Sequence, residues 1–339
     1  MAFSPRVTVL MTVYNGRRYI SAAVKSALDQ RFRDLELLLL DDGSTDDSAE
    51  IARSFGDARL RVLRNAERQG VGPARRAALL EARGELVAVL DVDDLMLPGR
   101  LEQQVAFLDR HHDVGLLGTA FLVIDEDDQI QEVVTPPRDP LEVRWHLLFG
   151  NCMAHSSVMY RRATALALGG YTPEVRAGED FDLWARFAAR DRIAQLPTPL
   201  SMWRRHTGSL EHWEPVADKA HFVWTVERSL SYALGRRVGF ETARALYRDR
   251  PAAASSSQVV RACYEIIVEC FEHCRRSVLD RRACGQLALL TMGDLARIRR
   301  LNPGTETLAF RRAQLATSAR APGTVLRGKL RALADEPAD

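Results

Sequence analysis

Acidic residues stand wherever this sequence could do chemistry, and they come in three groups. Asp41-Asp42 closes the run LELLLL, Asp91-Val92-Asp93-Asp94 closes ELVAVL, and Glu179-Asp180 follows Gly178 and precedes Phe181 and Leu183-Trp184. A carboxylate at position 42, followed by the turn-forming Gly43-Ser44-Thr45-Asp46, can accept an N–H from a base such as uracil or thymine. The competing account is that Asp41 and Asp42 cap the helix that follows. Strand alternation puts the side chains of Asp91 and Asp93 on one side, where two oxygen ligands can converge on a hard cation, Mg²⁺ or Mn²⁺. Such an ion stabilises a diphosphate leaving group; a solvated acidic turn is the alternative. Glu179-Asp180 reads either as a helix start favoured by the backbone dipole or as a general base beside an acceptor hydroxyl.

His155 and His206 can reach a diphosphate or a metal through imidazole, or serve structure alone. Arg75 and Arg76 open a helix after Gly70-Val71-Gly72, near enough to touch phosphates. That segment is not a dinucleotide fingerprint, because G-x-G-x-x-G requires glycine where Arg75 stands. The five cysteines, at 152, 263, 270, 274 and 284, are odd in number and far from disulfide-scaffold density, which predicts a reducing compartment. Cys270, His273 and Cys274 have helical spacing without a Cys-x-x-Cys knuckle, so they read as packed core and not as a zinc site.

These residues must be held by a framework, and the chain supplies one. Its 339 residues, 46% hydrophobic and 27% charged, suffice for a large domain plus a smaller one. A formal net charge of +2 gives no general grip on nucleic acid. VTVLMTVY reads as a buried strand stopped at Asn15-Gly16; Ile20, Val24, Ala27 and Leu28 mark a helix face. LELLLLDD, RLRVLRN and ELVAVLDVDD follow as strands, with VGPARRAALLEARG as a helix between the last two. Apolar runs without alternation fit strands covered on both faces, and repeated β-α-β predicts an open, largely parallel α/β sheet. In such sheets functional residues collect at the carboxyl ends of the strands, where Asn15, Asp42, Asp91 and Asp93 all fall. VGLLGTAFLVIDEDDQI reads as one or two strands with an acidic turn, and TPPRDPLEVRW, 135–145, as a proline-rich connection.

Beyond about His212 the texture becomes long and helical. Within 261–339, 14 Lys/Arg stand against 9 Asp/Glu, which permits weak attraction to an anionic membrane surface. No apolar run approaches the roughly 20 residues a spanning helix needs, and the amino terminus lacks a secretory signal. The expected location is cytoplasmic, with peripheral contact at the cytoplasmic membrane face left open.

VTVLMTVYNGRRYISAAVKSALDQRF, LLLLDDGSTDDS and GVGPARRAALLEARGELVAVLDVDD together resemble the inverting family 2 glycosyltransferases of GT-A fold, of the bacterial cell-envelope or polysaccharide type. The likeness continues through HSSVMYRR, GGY, GEDFDLWAR and WRRHTGS, so it covers about residues 6–210. It implies a GT-A catalytic domain at 1–211, with a nucleotide-binding half to about 97 and an acceptor half from about 98, and a helical region at 212–339. The activity it implies is sugar transfer from a nucleotide-diphosphate sugar, with a UDP- or dTDP-sugar favoured, to a hydroxyl of a glycan or lipid-linked saccharide, assisted by Mg²⁺ or Mn²⁺.

Residue by residue, the resemblance assigns Thr12, Tyr14, Asn15, Asp42, Arg75, Asp91, Asp93 and His155 to the nucleotide-sugar site. Asp93, Asp91 and His206 go to the metal. Asp180 becomes the general base, with Glu179 as orienter or acceptor ligand. Arg76 stands where the family usually has asparagine, and Trp203 where it usually has tyrosine; the first departure puts local phosphate or ribose contacts in doubt. Absence of a Gln-x-x-Arg-Trp motif implies single addition over polymer synthesis. The helical region could complete the acceptor site, pair two subunits or touch a membrane. Two other readings compete: a sugar-nucleotide-binding or scaffold protein without turnover, and a nucleotidyltransferase, for which TVYNGRRY is a poor substitute for a glycine-rich loop.

Overall fold

A computed structural model of the chain describes residues 4–175, 177–190, 192–207, 220–247, 254, 256–276, 281–302, 310, 313–314 and 316–317. They divide into two compact units, one drawn from 1–140 and 152–221, the other from 141–151 and 222–339. The boundary expected at 211/212 falls within 208–219, outside the described residues.

The first unit is built on one sheet. β1 (Val7–Val13), β2 (Leu35–Asp41), β3 (Leu60–Arg64) and β4 (Leu86–Val89) lie in the order β3-β2-β1-β4, all parallel. They are linked by α1 (Ile20–Leu28), α2 (Ser48–Arg53) and α3 (Val71–Glu81). Every residue of β2 and β4 is buried, which is why these runs show no alternation. α1 turns Ile20, Ala23, Val24, Ala27 and Leu28 inward against Val9, Met11 and Leu37 in one apolar cluster.

Beyond β4 the directions change. After β5 (Leu95–Met96) and α4 (Arg100–Arg110) come β6 (Val114–Ile124) and β7 (Ile130–Val134), joined by the acidic turn 125–129. α5 (Pro140–His146) follows, then β8 (Met159–Arg161), α6 (Arg162–Ala167), α7 (Glu179–Arg190) and β9 (Arg192–Arg204). β8 runs antiparallel to both β4 and β6, β7 antiparallel to β6, β5 antiparallel to β9, and β6 parallel to β9. The parallel expectation therefore describes the first four strands, and the sheet as a whole is mixed. For β6 and β7 the cause is local: a short turn such as Asp125–Gln129, where Asp125 Oδ1 accepts the N–H groups of Asp127 and Gln129, can only return a strand antiparallel.

The second unit is helical, with α8 (Ala220–Leu234), α9 (Phe240–Leu246), α10 (Ser257–Arg276) and α11 (Arg281–Leu301). The stretch 135–145 is more than a connection, because Pro140 opens α5 as a first-turn proline. Fully buried Trp145 donates its indole N–H to Asp294 Oδ2 at 2.8 Å, and Ser229 Oγ donates to the Leu147 carbonyl at 2.8 Å. Segment 141–151 thus packs with the later helices. Cys263, Cys270 and Cys274 are buried in α10, and burial pushes the thiols of Cys263 and Cys274 up to about 12 and about 11. Among the described residues no helix is long and apolar enough to cross a membrane.

The approach from α3 to β4 is a tight passage. Gly84 donates its N–H to Thr8 Oγ1 at 2.8 Å, and a Cβ there would press on the Thr8 backbone, 2.7 Å from the Val7 carbonyl carbon and 2.8 Å from the Leu86 oxygen. Those neighbours are strand backbone and cannot give way. Gly84→Ala is expected to destabilise the fold by about 2–3 kcal/mol in a urea titration; a loss under about 0.5 kcal/mol would mean that the strands shift to make room.

Candidate active site

The loops leaving β1 and β2 are laced together by short polar side chains. Asn15 adopts φ 53°, a left-handed conformation that asparagine tolerates. Its Oδ1 accepts the Thr45 N–H at 2.8 Å, its own N–H donates to Ser44 Oγ at 3.0 Å, and the Gly16 N–H donates to Ser48 Oγ at 2.9 Å. Asp41 and Asp42 do not cap α2. Buried Asp41 accepts the Ser44 N–H at 2.9 Å. Asp42, also buried, accepts from Asn65 Nδ2 at 2.7 Å and from the N–H groups of Gln69 and Gly70, both at 2.9 Å. A carboxylate offers about four acceptor positions, so about one is left to face a ligand. Thr12 is half-buried on β1, and exposed Tyr14 carries the Arg68 guanidinium 4.2 Å from its ring centroid.

A second network joins β4, α3 and α7. Arg75, 8% exposed, bonds the carboxylate of Glu179 through Nη1 and that of Asp91 through Nη2 at 2.5 Å. His155 Nδ1 lies 3.0 Å from both Asp91 oxygens, and its Nε2 lies 3.0 Å from the Tyr171 hydroxyl. Burial works against the charge of Asp91, but Arg75 and His155 outweigh it and hold the carboxyl well below the usual range. Burial would lower Arg75; Asp91, Tyr171 and Asp180 overcome it and keep the guanidinium charged. Burial first, then Tyr160, pushes the Tyr171 hydroxyl far up, so it stays neutral. Both ring nitrogens of His155 are thus engaged, one by Asp91 and the other by Tyr171. Asp180 sits half-buried in the first turn of α7, its Oδ1 accepting the Phe181 N–H at 2.7 Å.

A third network surrounds Asp93. Strand alternation does not govern 91 and 93, because β4 ends at Val89 and the Asp94 N–H turns back to the Asp91 carbonyl at 3.1 Å. Asp91 and Asp93 consequently enter separate networks. Asp93 Oδ2 meets His206 Nε2 at 3.0 Å, and the His206 ring lies 5.1 Å from that of Tyr19. Behind them is Arg204, buried at the end of β9. Its N–H donates to Asp94 Oδ1 at 2.7 Å, its Nε to the Asp93 carbonyl and its Nη1 to the Asp125 carbonyl, both at 2.8 Å.

Arg204, Tyr171, Tyr19 and Asp94 are the members that sequence reasoning missed. Arg204 lies two residues before His206 in a singled-out segment, and Tyr171 belongs to the quoted GGY. Neither shows a pattern that would mark it, since the side-chain partners of Arg204 lie 76 or more positions away and those of Tyr171, 16 and 11 positions back, belong to another motif.

Carboxylates fixed just past the carboxyl ends of strands, two of them beside imidazoles, with a further acid on the first turn of a helix, are an outfit for group transfer on an α/β sheet. The chain belongs to glycosyl transferase family 2, whose model matches residues 8–165, and it is a glycosyltransferase. It is 33% identical over 194 residues to the putative glycosyltransferase EpsE of Bacillus subtilis (strain 168), a match covering 55% of this chain and 68% of that one. It is 30% identical over 146 residues to the UDP-Glc:alpha-D-GlcNAc-diphosphoundecaprenol beta-1,3-glucosyltransferase WfgD of Escherichia coli, covering 43% of this chain and 56% of that one. The solved structure of S. aureus TarS 1-349 in complex with UDP-GlcNAc has the same fold, with TM-score 0.61 at 19% identity over 87% of this chain and 90% of that one.

Asp94 supplies a test of the site's electrostatics. Burial, then the charges of Asp93 and Asp91, raises its carboxyl well above the usual carboxylate range. A carboxyl raised on folding stabilises fully below its unfolded value, and that contribution is lost as pH rises through the folded value. Asp94→Asn keeps the acceptor for the Arg204 N–H and removes the titration. In the presence of a chelator, its melting temperature relative to wild type is expected to climb as pH rises above about 4. A difference independent of pH would show that Asp94 is charged without penalty.

Proposed function

We propose that this glycosyltransferase moves a sugar from a UDP- or dTDP-sugar to a hydroxyl of a glycan or lipid-linked saccharide, by one displacement that inverts the anomeric carbon. The observation that carries the reading is the Arg75 bridge. A single buried guanidinium joins Asp91, just past the end of a parallel strand, to Glu179, and so ties the first turn of α7, which carries Asp180, to that strand end. Asp180 is the general base. It takes the proton from the acceptor hydroxyl as that oxygen attacks, while the bond to the nucleoside diphosphate breaks on the opposite face, and no protein nucleophile is needed. Thr12, Tyr14, Asn15 and the remaining acceptor position of Asp42 line the nucleotide end.

The residues around Asp93 fit a divalent cation. Asp93 Oδ2 and His206 Nε2 stand together, and the Asp93 and His206 side chains are 28% and 13% exposed, an open pair of donors that phosphate oxygens and water can complete. Mg²⁺ or Mn²⁺ held there would supply charge neutralisation to the departing diphosphate. The printed name of WfgD, with a UDP-sugar donor and a diphosphoundecaprenol-linked acceptor, supports the donor and acceptor classes.

Asp180→Asn is expected to lower turnover about 10²–10⁴-fold while leaving nucleotide-sugar affinity near wild type, measured by release of nucleoside diphosphate and by calorimetry. Full transfer by this variant with unchanged metal dependence would eliminate Asp180 as the base. Asp93→Ala is expected to abolish metal-dependent binding of UDP- and dTDP-sugars; binding by the variant at wild-type strength would remove Asp93 from the metal site.

A further inference from the structure

Arg76 follows Arg75 on α3, and it reaches a different place. Its Nη1 donates to the carbonyl of Gly169 and, at 3.4 Å, to that of Tyr171. The carbonyls in between are taken by a second arginine. Arg186, on α7, donates Nη1 to the Leu168 oxygen at 2.6 Å and Nη2 to the Gly170 oxygen at 2.8 Å. Arg186 is itself fixed by Asp182 Oδ2, 2.6 Å from its Nη2. Four successive carbonyls, 168 to 171, therefore alternate between one guanidinium from α7 and one from α3. The turn they belong to can form only with glycine at two of its positions, where φ is 91° at Gly169 and 68° at Gly170.

What this turn delivers is the Tyr171 side chain. Tyr171 is fully buried, and its hydroxyl is 3.0 Å from His155 Nε2 and 3.4 Å from the Tyr160 hydroxyl. Nδ1 of His155 faces both oxygens of Asp91, and Nε2 on the other side of the ring meets the Tyr171 hydroxyl. The tyrosine thus fixes the plane of the ring that orients Asp91. Starting from α3, one path runs through Arg75 directly to Asp91, and the other runs through Arg76, the turn, Tyr171 and His155 to the same carboxylate.

We infer that Arg76 is a positioning residue for Asp91, acting through the Gly169–Tyr171 turn and the Tyr171–His155 pair. It touches neither donor nor acceptor. The inference rests on the proposed donor site for its kinetic consequence, but not for its structural one.

The test combines Arg76→Ala, Tyr171→Phe and the double variant with two readouts. The first is the imidazole nitrogen spectrum of His155 in the ligand-free protein, which needs no activity. Arg76→Ala is expected to move the Nε2 signal in the same direction as Tyr171→Phe. The second readout is kinetic: Arg76→Ala is expected to raise donor KM about 10-fold with a smaller change in kcat. In the Tyr171→Phe background it should add no more than about 2-fold, and Arg76→Lys should restore most of the loss. If Arg76→Ala does not fold, Arg76→Gln is read in its place. A wild-type His155 spectrum in the Arg76 variant, or effects that multiply in the double variant, would overturn the inference. Failure of wild type to use any UDP- or dTDP-sugar would overturn the donor reading instead, and the His155 spectrum would still decide the role of Arg76.

Discussion

The arrangement depends on one buried guanidinium. Arg75 lies between Asp91 and Glu179, two carboxylates 88 positions apart that no backbone hydrogen bond connects. An arginine taken out of water is costly unless both its charge and its donors are answered, and its planar fork is suited to two carboxylates at once. Because each acid pays for the burial of the same cation, removing either would leave a buried charge unmatched. The bridge is therefore a constraint on geometry more than a source of stability: it requires the first turn of α7 to stand over the end of β4. Asp180, the next residue of that turn, is carried with it.

Arg204 does the corresponding work at the other end of the same turn, using backbone as well as side chains. Its contacts with the carbonyls of Asp93 and Asp125 and with the carboxylate of Asp94 fix the chain around Asp93. The Asp93 carboxylate itself is left to His206. Tyr19 packs beside that imidazole, with the Arg204 guanidinium 4.7 Å from its ring centroid. The side chain with most exposure is thus held by residues that have little, which is how a ligand-facing group keeps one orientation without losing access.

Much of this was legible in the sequence. The strands ending at Asp41 and near Asp91, the helix that carries Arg75 and the helix start at Glu179 all follow from local apolar pattern and strand-end acids, and the structure has them. The mixed direction of the later strands was not legible, because β8 is only three residues long and its pairing with β4 and β6 is set by tertiary fit. Nor was α5, where proline was read as a break although it opens a helix. Arg204 and Tyr171 went unnoticed for a different reason. Arg204 acts through side chains and carbonyls 76 or more positions away, and Tyr171 through residues of another motif 16 and 11 positions back, so neither leaves a periodicity or spacing by which its role could be read.

The turn after β4 also shows why three acids can share four positions. Asp91, Asp93 and Asp94 would repel one another if they met a common environment, and the fold gives them three. Asp91 is matched by Arg75 and His155 and held ionised. Asp93, 28% exposed against 25% for Asp91, meets the imidazole of His206. Asp94 is buried, and desolvation together with its two neighbours drives it toward the neutral form. Environments that push neighbouring carboxyls apart separate their roles. An ionised acid beside a fixed cation can accept hydrogen bonds without changing charge, an accessible one can bind an added cation, and a neutral one lets the other two keep their charges at close range. The turn geometry that defeats strand alternation is what makes this division possible, since side chains on one face of a strand would have shared a single environment.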